Sequence, residues 1–312
     1  MNKNKLFSTL FGMALLSIGS IAPTAHAQQS WSSLCTSMTA DSVNKQKDLF
    51  EARNYILRPS DSPSTSFQAK TVKAKNQSLN LSADQFQRIT DITASGFLAI
   101  FANHHMQGCS KNYYTTELSP LITDLLQGKG YQFNWQNITI IHQNMRAHAD
   151  SINAKIEGKG ENVRIILTFN GLRINNSKTP SILNPDTGTL DFSVPTKAYP
   201  LILAFLNKPS QQADIPITLN NLTAQNPETS IKASGTGLLN DRLQAVAVDG
   251  HLAIYNLQRI IEVTQNANLR KVSTALILAR FAGRGNAEGN MEWNVIWHGS
   301  LLKVNNVPIP IW

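Results

Sequence analysis

The chain is 312 residues long and carries a formal charge of +8, with 15% charged and 42% hydrophobic side chains and two cysteines. That length admits one large domain or two ordinary ones, each with a sizeable core. The basic excess is scattered, without the runs of about five or six cations that mark a nucleic-acid-binding tract, so nucleic acid is not an expected partner.

Residues 1–27 read as a secretory signal peptide. Lys3 and Lys5 precede an uncharged run from Leu6 to Ile21, and Ala25-His26-Ala27 supplies a small-residue cleavage site. The apolar run is shorter than the roughly 20 residues a membrane-spanning helix needs. Cleavage near Ala27 would start the mature chain at Gln28, deliver it to the periplasm or the exterior, and leave no transmembrane segment. The mature charge would be +6, since Lys3 and Lys5 leave with the leader. Solvated surface lysines and arginines explain that excess, and binding of anionic lipid or polysaccharide is the alternative. Asn, Gln, Ser and Thr fill much of the remaining polar surface, a composition that suits a secreted β-protein.

Cys35 and Cys109 both persist into an oxidising compartment and are expected to form a disulfide. It would close a loop of about 75 residues and stabilise the fold by roughly 3 to 4 kcal/mol on a chain-entropy model. Cys35 lies too far beyond Ala27 to be a lipoprotein anchor.

Three segments are expected: the signal peptide (1–27), an N-terminal region (28–115) that is partly β and tied by the disulfide, and a duplicated β-meander with helices (116–312). From Gln28 to Pro63, Val43, Lys47, Phe50 and Asn54 give a weak helical stripe, and Ser60 to Ser64 reads as a turn. Phe67, Ala69 and Thr71, then Leu79 and Leu81, alternate as strands do. Gly96 to Met106 is apolar and fits strand or helix. Leu118, Leu121, Ile122, Leu125 and Leu126 predict a helix over 119–127, with Ser119 as N-cap, Pro120 in the first turn, and Gly128 or Gly130 ending it. Phe133 and Trp135, then Ile138 and Ile140, predict a strand with a change of phase at Asn137 and a bulge there.

An internal repeat follows. Phe133–Thr139 matches Ile217–Thr223 in pattern, Ser151–Ala154 matches Ser230–Ala233, and each copy continues with a G-x-G (Gly158 and Gly160, Gly235 and Gly237). Asn170-Gly171 and Asp249-Gly250 then sit between alternating apolar runs and predict type I′ hairpins. Tyr199–Leu206, the stripe Leu257, Ile260, Ile261 and Thr264, and the stripe Val272, Ala275, Leu276 and Ala279 predict helices. Met291, Trp293, Val295 and Trp297 alternate into a closing hairpin over His298–Ser300, returning through Leu301–Val304 to a Pro-rich tail that cannot be a central strand.

From Gly237 onward, the stretches LQAVAVDGHLAIYNLQRIIE, ALILARFAG and GNMEWNVIWHGSLLKVNNVPIPI resemble the carboxyl-terminal half of the bacterial envelope family known as domain of unknown function 2125. That family is similar in layout to AsmA-like and YdgA-like periplasmic proteins. The resemblance covers the last third of the chain and, more loosely, the repeat. It implies a β-rich periplasmic envelope protein, and it carries no catalytic residues over.

The chemistry-bearing residues are dispersed. His104-His105-Met106 near Cys109 has soft-metal ligand types, but adjacent histidines cannot both face one site without distortion and no second cluster completes the set. His142, His148, His251 and His298 lie outside any nucleophile motif, and Glu262, Glu288 and Glu292 are isolated acids. No catalytic, cofactor-binding or metal residue is assigned. Trp293, Trp297 and Trp312 enrich the end in aromatics, yet Pro308 and Pro310 occupy positions where an outer-membrane barrel strand would be apolar.

The expected fold is β-dominated α+β, an antiparallel duplicated meander with short covering helices. The expected function is non-enzymatic: binding a lipid-like ligand or a protein partner in the periplasm. An AsmA-like layout implies a groove for acyl chains, against which the preferred reading makes the apolar sheet faces plain core. The alternative is a secreted hydrolase of an envelope polymer, with two carboxylates brought together from distant strands.

Overall fold

In the computed structural model, residues 35–78, 80–102, 111–175, 184–200, 214–240, 245–298 and 301–310 are described. The strands are β1 (Thr36–Thr39), β2 (Ser42–Lys45), β3 (Leu49–Pro59), β4 (Ser66–Asn76), β5 (Gly130–His142), β6 (Met145–Lys159), β7 (Asn162–Asn170), β8 (Arg173–Asn175), β9 (Thr187–Pro195), β10 (Ile215–Gln225), β11 (Ser230–Leu239), β12 (Ala245–Tyr255), β13 (Arg284–Gly285), β14 (Asn290–His298), β15 (Leu301–Val304) and β16 (Val307–Pro310). They form one antiparallel sheet whose strands follow one another almost in chain order, β1-β3-β4-β5-β6-β7-β9-β10-β11-β12-β14-β15-β16, with β2 beside β3, β8 beside β6 and β13 beside β14. The β-dominated antiparallel meander expected from the alternation is therefore the architecture.

Two helix pairs interrupt it. Helices α1 (Ala83–Ala102) and α2 (Lys111–Leu126) intervene between β4 and β5, and α3 (Leu257–Asn266) and α4 (Arg270–Ala282) between β12 and β14. Each pair covers its own apolar cluster. The larger includes Phe50, Tyr55, Phe67, Phe97, Leu121, Phe133 and Trp135, and the smaller is built from Ile254, Leu257, Ile260, Ile261, Leu276, Trp293, Val295, Leu302 and Val304. In the larger cluster the Trp135 ring meets Phe97 and Phe67 nearly edge-on at centroid distances of 5.2 and 6.1 Å, so this apolar sheet face is packed core. The opposite face is polar, with Lys73 Nζ 2.6 Å from Glu51 and Asn134 donating to Asn153.

A fault in the pleat crosses this sheet. Buried positions alternate along β3 until Ala52, then resume at Tyr55. The same three-residue step separates Ala69 from Val72, Trp135 from Ile138, Ala149 from Ile152 and, across the β7–β8 junction, Phe169 from Leu172. The register is unchanged on either side, because Asn54, Lys70, Asn137 and Asp150 occupy the step strand by strand. Asn54, Asn137 and Gly171 adopt left-handed backbone at φ 50°, 49° and 64°. Each strand thereby reverses phase together with its neighbours, and the apolar face stays inward throughout.

The strands correct several expectations. The stripe Val43–Asn54 is not a helix: its residues lie on β2, β3 and the turn between them, and of Val43, Lys47, Phe50 and Asn54 only Phe50 is buried. Asn170-Gly171 does not reverse the chain. Only Gly171 has positive φ, and β8 continues along the partner that β7 pairs with, β6. Asp249-Gly250 lies inside β12, where Gly250 faces Gly235 and a Cβ on Gly250 would come within 2.7 Å of the Ser234 carbonyl oxygen. These glycines serve close backbone approach instead of a turn. The repeat keeps one structural equivalence here, since a register irregularity falls at Asn220-Asn221, matching the fault at Asn137. Its G-x-G pairs differ: Gly160 lies between β6 and β7, whereas Gly235 and Gly237 lie within β11.

Further adjustments concern helix ends. Leu81 is not in a strand. It precedes an N-terminal capping box in which the backbone N–H of Gln85 donates to Ser82 Oγ and that of Ser82 to Gln85 Oε1, at 3.2 and 2.8 Å. Leu79 lies outside the described residues. Gly96 to Ala102 is helical, within α1. The helix expected from Ser119 begins eight residues earlier, at Lys111, with Pro120 in its interior. Tyr114 extends the buried stripe of Leu118, Leu121 and Leu125 upstream, so the proline costs one backbone bond, to exposed Thr116, within a helix held by packing. The boundary expected between 115 and 116 therefore falls inside α2.

Candidate functional site

Of the three buried carboxylates among the described residues, Asp191 on β9 is held by Arg164 and Asn220, and the features that stand out chemically are the other two, between helices and sheet, and one exposed helix face. Asp91 of α1 accepts a 2.7 Å hydrogen bond from Tyr55 Oη and a longer one from Gln87, and all but 7% of it is buried. Burial pushes its carboxyl up to about 7, against the lowering effect of those two donors. Burial likewise raises Tyr55. Beside this pair, Arg88 meets Glu117 at 2.6 Å and joins α1 to α2. Asp124 is the second. Burial would raise it, but donors from Ser78, Lys129 and Tyr131 hold its carboxyl below the usual range. Both groups are enclosed and act as latches between helices and sheet.

The residues singled out in the sequence are not brought together. His142 Nδ1 lies 2.8 Å from Thr65 Oγ1, His148 Nε2 lies 3.4 Å from Asp150, and His251 Nδ1 lies 2.9 Å from Asn294 Oδ1, on separate strands. His298 ends β14. Glu262 caps a surface pair with Gln258 on α3, while Glu288 and Glu292 both serve the turn around Asn286. No group of three or more metal-ligating side chains occurs among the described residues. Residues 1–34, with the expected signal peptide and Trp31, lie outside the described residues, as do His104-His105-Met106, Cys109 and Trp312. Cys35 is buried, and its carbonyl accepts from Ser60 Oγ at 2.8 Å.

Helix α4 is the element whose surroundings leave most unexplained. Asn256, in left-handed backbone, donates to the Glu228 carbonyl and starts α3, whose Leu257, Ile260, Ile261 and Thr264 are all buried as their spacing predicts. Asn268, at φ 56°, then turns the chain into α4. The inner side of α4 is fixed: Trp293 Nε1 donates to the Ala279 carbonyl at 2.8 Å, and Asn305 Nδ2 donates to the Ala282 carbonyl at 2.7 Å. A Cβ on Gly283 would come within 2.5 Å of Met291 Sδ, so the helix ends tightly against β14.

Ser273 and Leu276 face inward, and this orientation turns Lys271, Thr274, Leu278 and Phe281 outward along one stripe. Leu278 is 64% and Phe281 83% exposed. Comparison with known proteins returns nothing: no family model, no curated protein and no solved structure matches this chain.

The charge along this segment is one-sided. From Val263 to Ala287 the chain carries Arg270, Lys271, Arg280 and Arg284 and no acid. Arg284 has Glu292 opposite it in the β13–β14 pairing, and Arg280 donates to the neutral Gln258. Arg270 and Lys271 occupy the first turn of α4, where the helix dipole disfavours positive charge. Of the stripe expected on α4, Leu276 is buried, Val272 and Ala279 pack partly against the smaller cluster, and buried Ser273 was not anticipated, nor was the outer stripe. The signal for the latter was available in Leu278 and Phe281, which are apolar but fall off the stripe that a single buried face requires. No helix among the described residues is long and apolar enough to cross a membrane.

Proposed function

We propose that the protein is an exported, non-enzymatic binding protein of the bacterial cell envelope, acting in the periplasm after cleavage near Ala27, and that it engages lipid on an external helix face. The observation that carries this reading is the exposure of Leu278 and Phe281 on a helix whose inner side is fixed by Trp293 and Asn305. Soluble surfaces tolerate scattered single apolar side chains, but two large ones a turn apart with cations around them have the pattern of a contact surface. An external surface suits the packing beneath the two helix pairs better than an acyl groove does, since the sheet face there is filled by its own rings and helices. The resemblance to the envelope family of domain of unknown function 2125 is consistent with the same location.

Fractionation tests the reading. Wild-type protein is expected to begin at Gln28 and to partition with membranes, with phospholipid in its organic extract, whereas Leu278→Ser/Phe281→Ser protein is expected in the soluble periplasmic fraction. An uncleaved protein, or one soluble and lipid-free in both forms, would contradict it.

A further inference from the structure

We propose that the outer face of α4 docks on an anionic phospholipid surface, with Leu278 and Phe281 entering the boundary between headgroups and acyl chains while Arg270 and Lys271 lie among the phosphates. This inference rests on the reading above and specifies the lipid class.

Several independent features converge on it. The apolar knobs and the cations share one rigid element. Lys271, Thr274, Leu278 and Phe281 form an outward stripe, so a plane laid against α4 meets a cation near one end and a phenyl ring near the other. A protein partner with a deep pocket would call for a concentrated apolar cluster with a polar rim. Here the apolar contact is narrow and the charge extended, which is the pattern of an interfacial helix.

The charge is also unsatisfied within the fold. No ion pair among the described residues involves Arg270 or Lys271, whereas Arg280 donates to Gln258 and Arg259 on the adjoining helix is paired with Glu228 and Glu262. Arg270 and Lys271 sit at the positive end of the α4 dipole, a placement that weakens the isolated helix. Phosphate groups near that end would offset both the side-chain charges and the dipole. A zwitterionic surface or an uncharged polymer would not.

Vesicle sedimentation with the purified mature protein tests this. The probes are phosphatidylcholine vesicles with and without about one third phosphatidylglycerol, and each cation near such a surface should change partitioning roughly fivefold. Wild type is expected to sediment with the anionic vesicles and little with the neutral ones, and to be released by about 0.5 M salt. Arg270→Glu/Lys271→Glu should weaken binding more than about tenfold. Leu278→Ser/Phe281→Ser should abolish it while leaving far-UV circular dichroism and thermal midpoint unchanged, since both side chains are exposed. A milder Arg270→Gln/Lys271→Gln pair guards against a folding defect in the charge reversal.

Equal binding to neutral and anionic vesicles, or binding that none of these variants alters, would overturn the proposal. Absence of vesicle binding by a wild-type protein that still partitions with cell membranes would also overturn it, and would leave the external lipid-binding reading standing with a different lipid. Absence of both would remove that reading too, and recovery of a protein bound at α4 in place of lipid would do the same.

Discussion

Asn305, at the turn into the last strand, donates through Nδ2 to the carbonyl of Ala282, the final residue of α4, at 2.7 Å. Its Oδ1 accepts the backbone N–H of Asn294, and its own N–H donates to the Asn294 carbonyl, both at 2.8 Å. One buried side chain therefore satisfies a helix-end carbonyl and ties it to β14. Asn305 and Asn306 both have positive φ, at 50° and 68°, which defines a two-residue type I′ turn between Val304 and Val307.

Replacing this residue should loosen the presentation of α4 without touching its outer face. Asn305→Ala is expected to cost about 2 to 4 kcal/mol, from the orphaned buried groups and from a left-handed backbone that alanine adopts poorly. Urea unfolding gives the magnitude. Hydrogen exchange should show the loss of protection concentrated in residues 279–298, and uniform loss across the sheet would contradict the role assigned.

The Asp91–Tyr55 pair predicts a pH dependence of stability. Burial raises the Asp91 carboxyl from its ordinary 3.8 to about 7 in the folded state, so between those two values the native state holds a proton that the unfolded state has released. Its contribution is thus fully present below about pH 4, is lost as pH rises through 7, and amounts to a few kcal/mol at most. Asp91→Asn should flatten the stability profile between pH 4 and 7 and unfold later than wild type at pH 8. A variant profile parallel to that of wild type would show that Asp91 is ionised in the native state.

Strand alternation was legible wherever the pleat is regular, and the stripe of α3 and the closing hairpin were equally plain. The N-terminal strands were obscured because the phase change between Ala52 and Tyr55 breaks the alternation of β3, while Val43, Lys47, Phe50 and Asn54 fall at helical spacing although only Phe50 is buried. The two Gly dipeptides misled for a related reason. Tolerance of positive φ and absence of Cβ suit a tight turn and a close strand crossing alike, and only the partner strands decide between them. The α4 surface was hidden because Leu276, Ile277, Leu278 and Phe281 are apolar on more than one side, and the side left bare depends on where Trp293 and Asn305 grip.

The fault itself makes a sharp prediction. A Cβ on Gly171 would sit 2.0 Å from Asp150 Oδ2, and the backbone there is left-handed at φ 64°. Gly171→Ala is expected to destabilise the fold by about 1 to 3 kcal/mol. Combining it with Asp150→Ala should recover part of that loss by removing the clash, while the strain of positive φ stays. Full additivity in the double-mutant cycle would deny the contact.

The expected Cys35–Cys109 bridge would join the buried start of the sheet to the segment that connects the first two helices. Peptide mapping without reduction should find the two cysteines in one linked fragment, and reduction should lower stability by roughly 3 to 4 kcal/mol. Two alkylatable thiols in native protein would refute the pairing.

The central claim, that the protein meets lipid through the outer face of α4, is tested most directly in living cells. A photoreactive benzophenone side chain would replace that of Phe281 and, as a control, that of exposed Val43 on β2. Irradiation should attach phospholipid at position 281 and not at position 43. Attachment of a protein at 281, or equal lipid labelling at the two positions, would contradict the account.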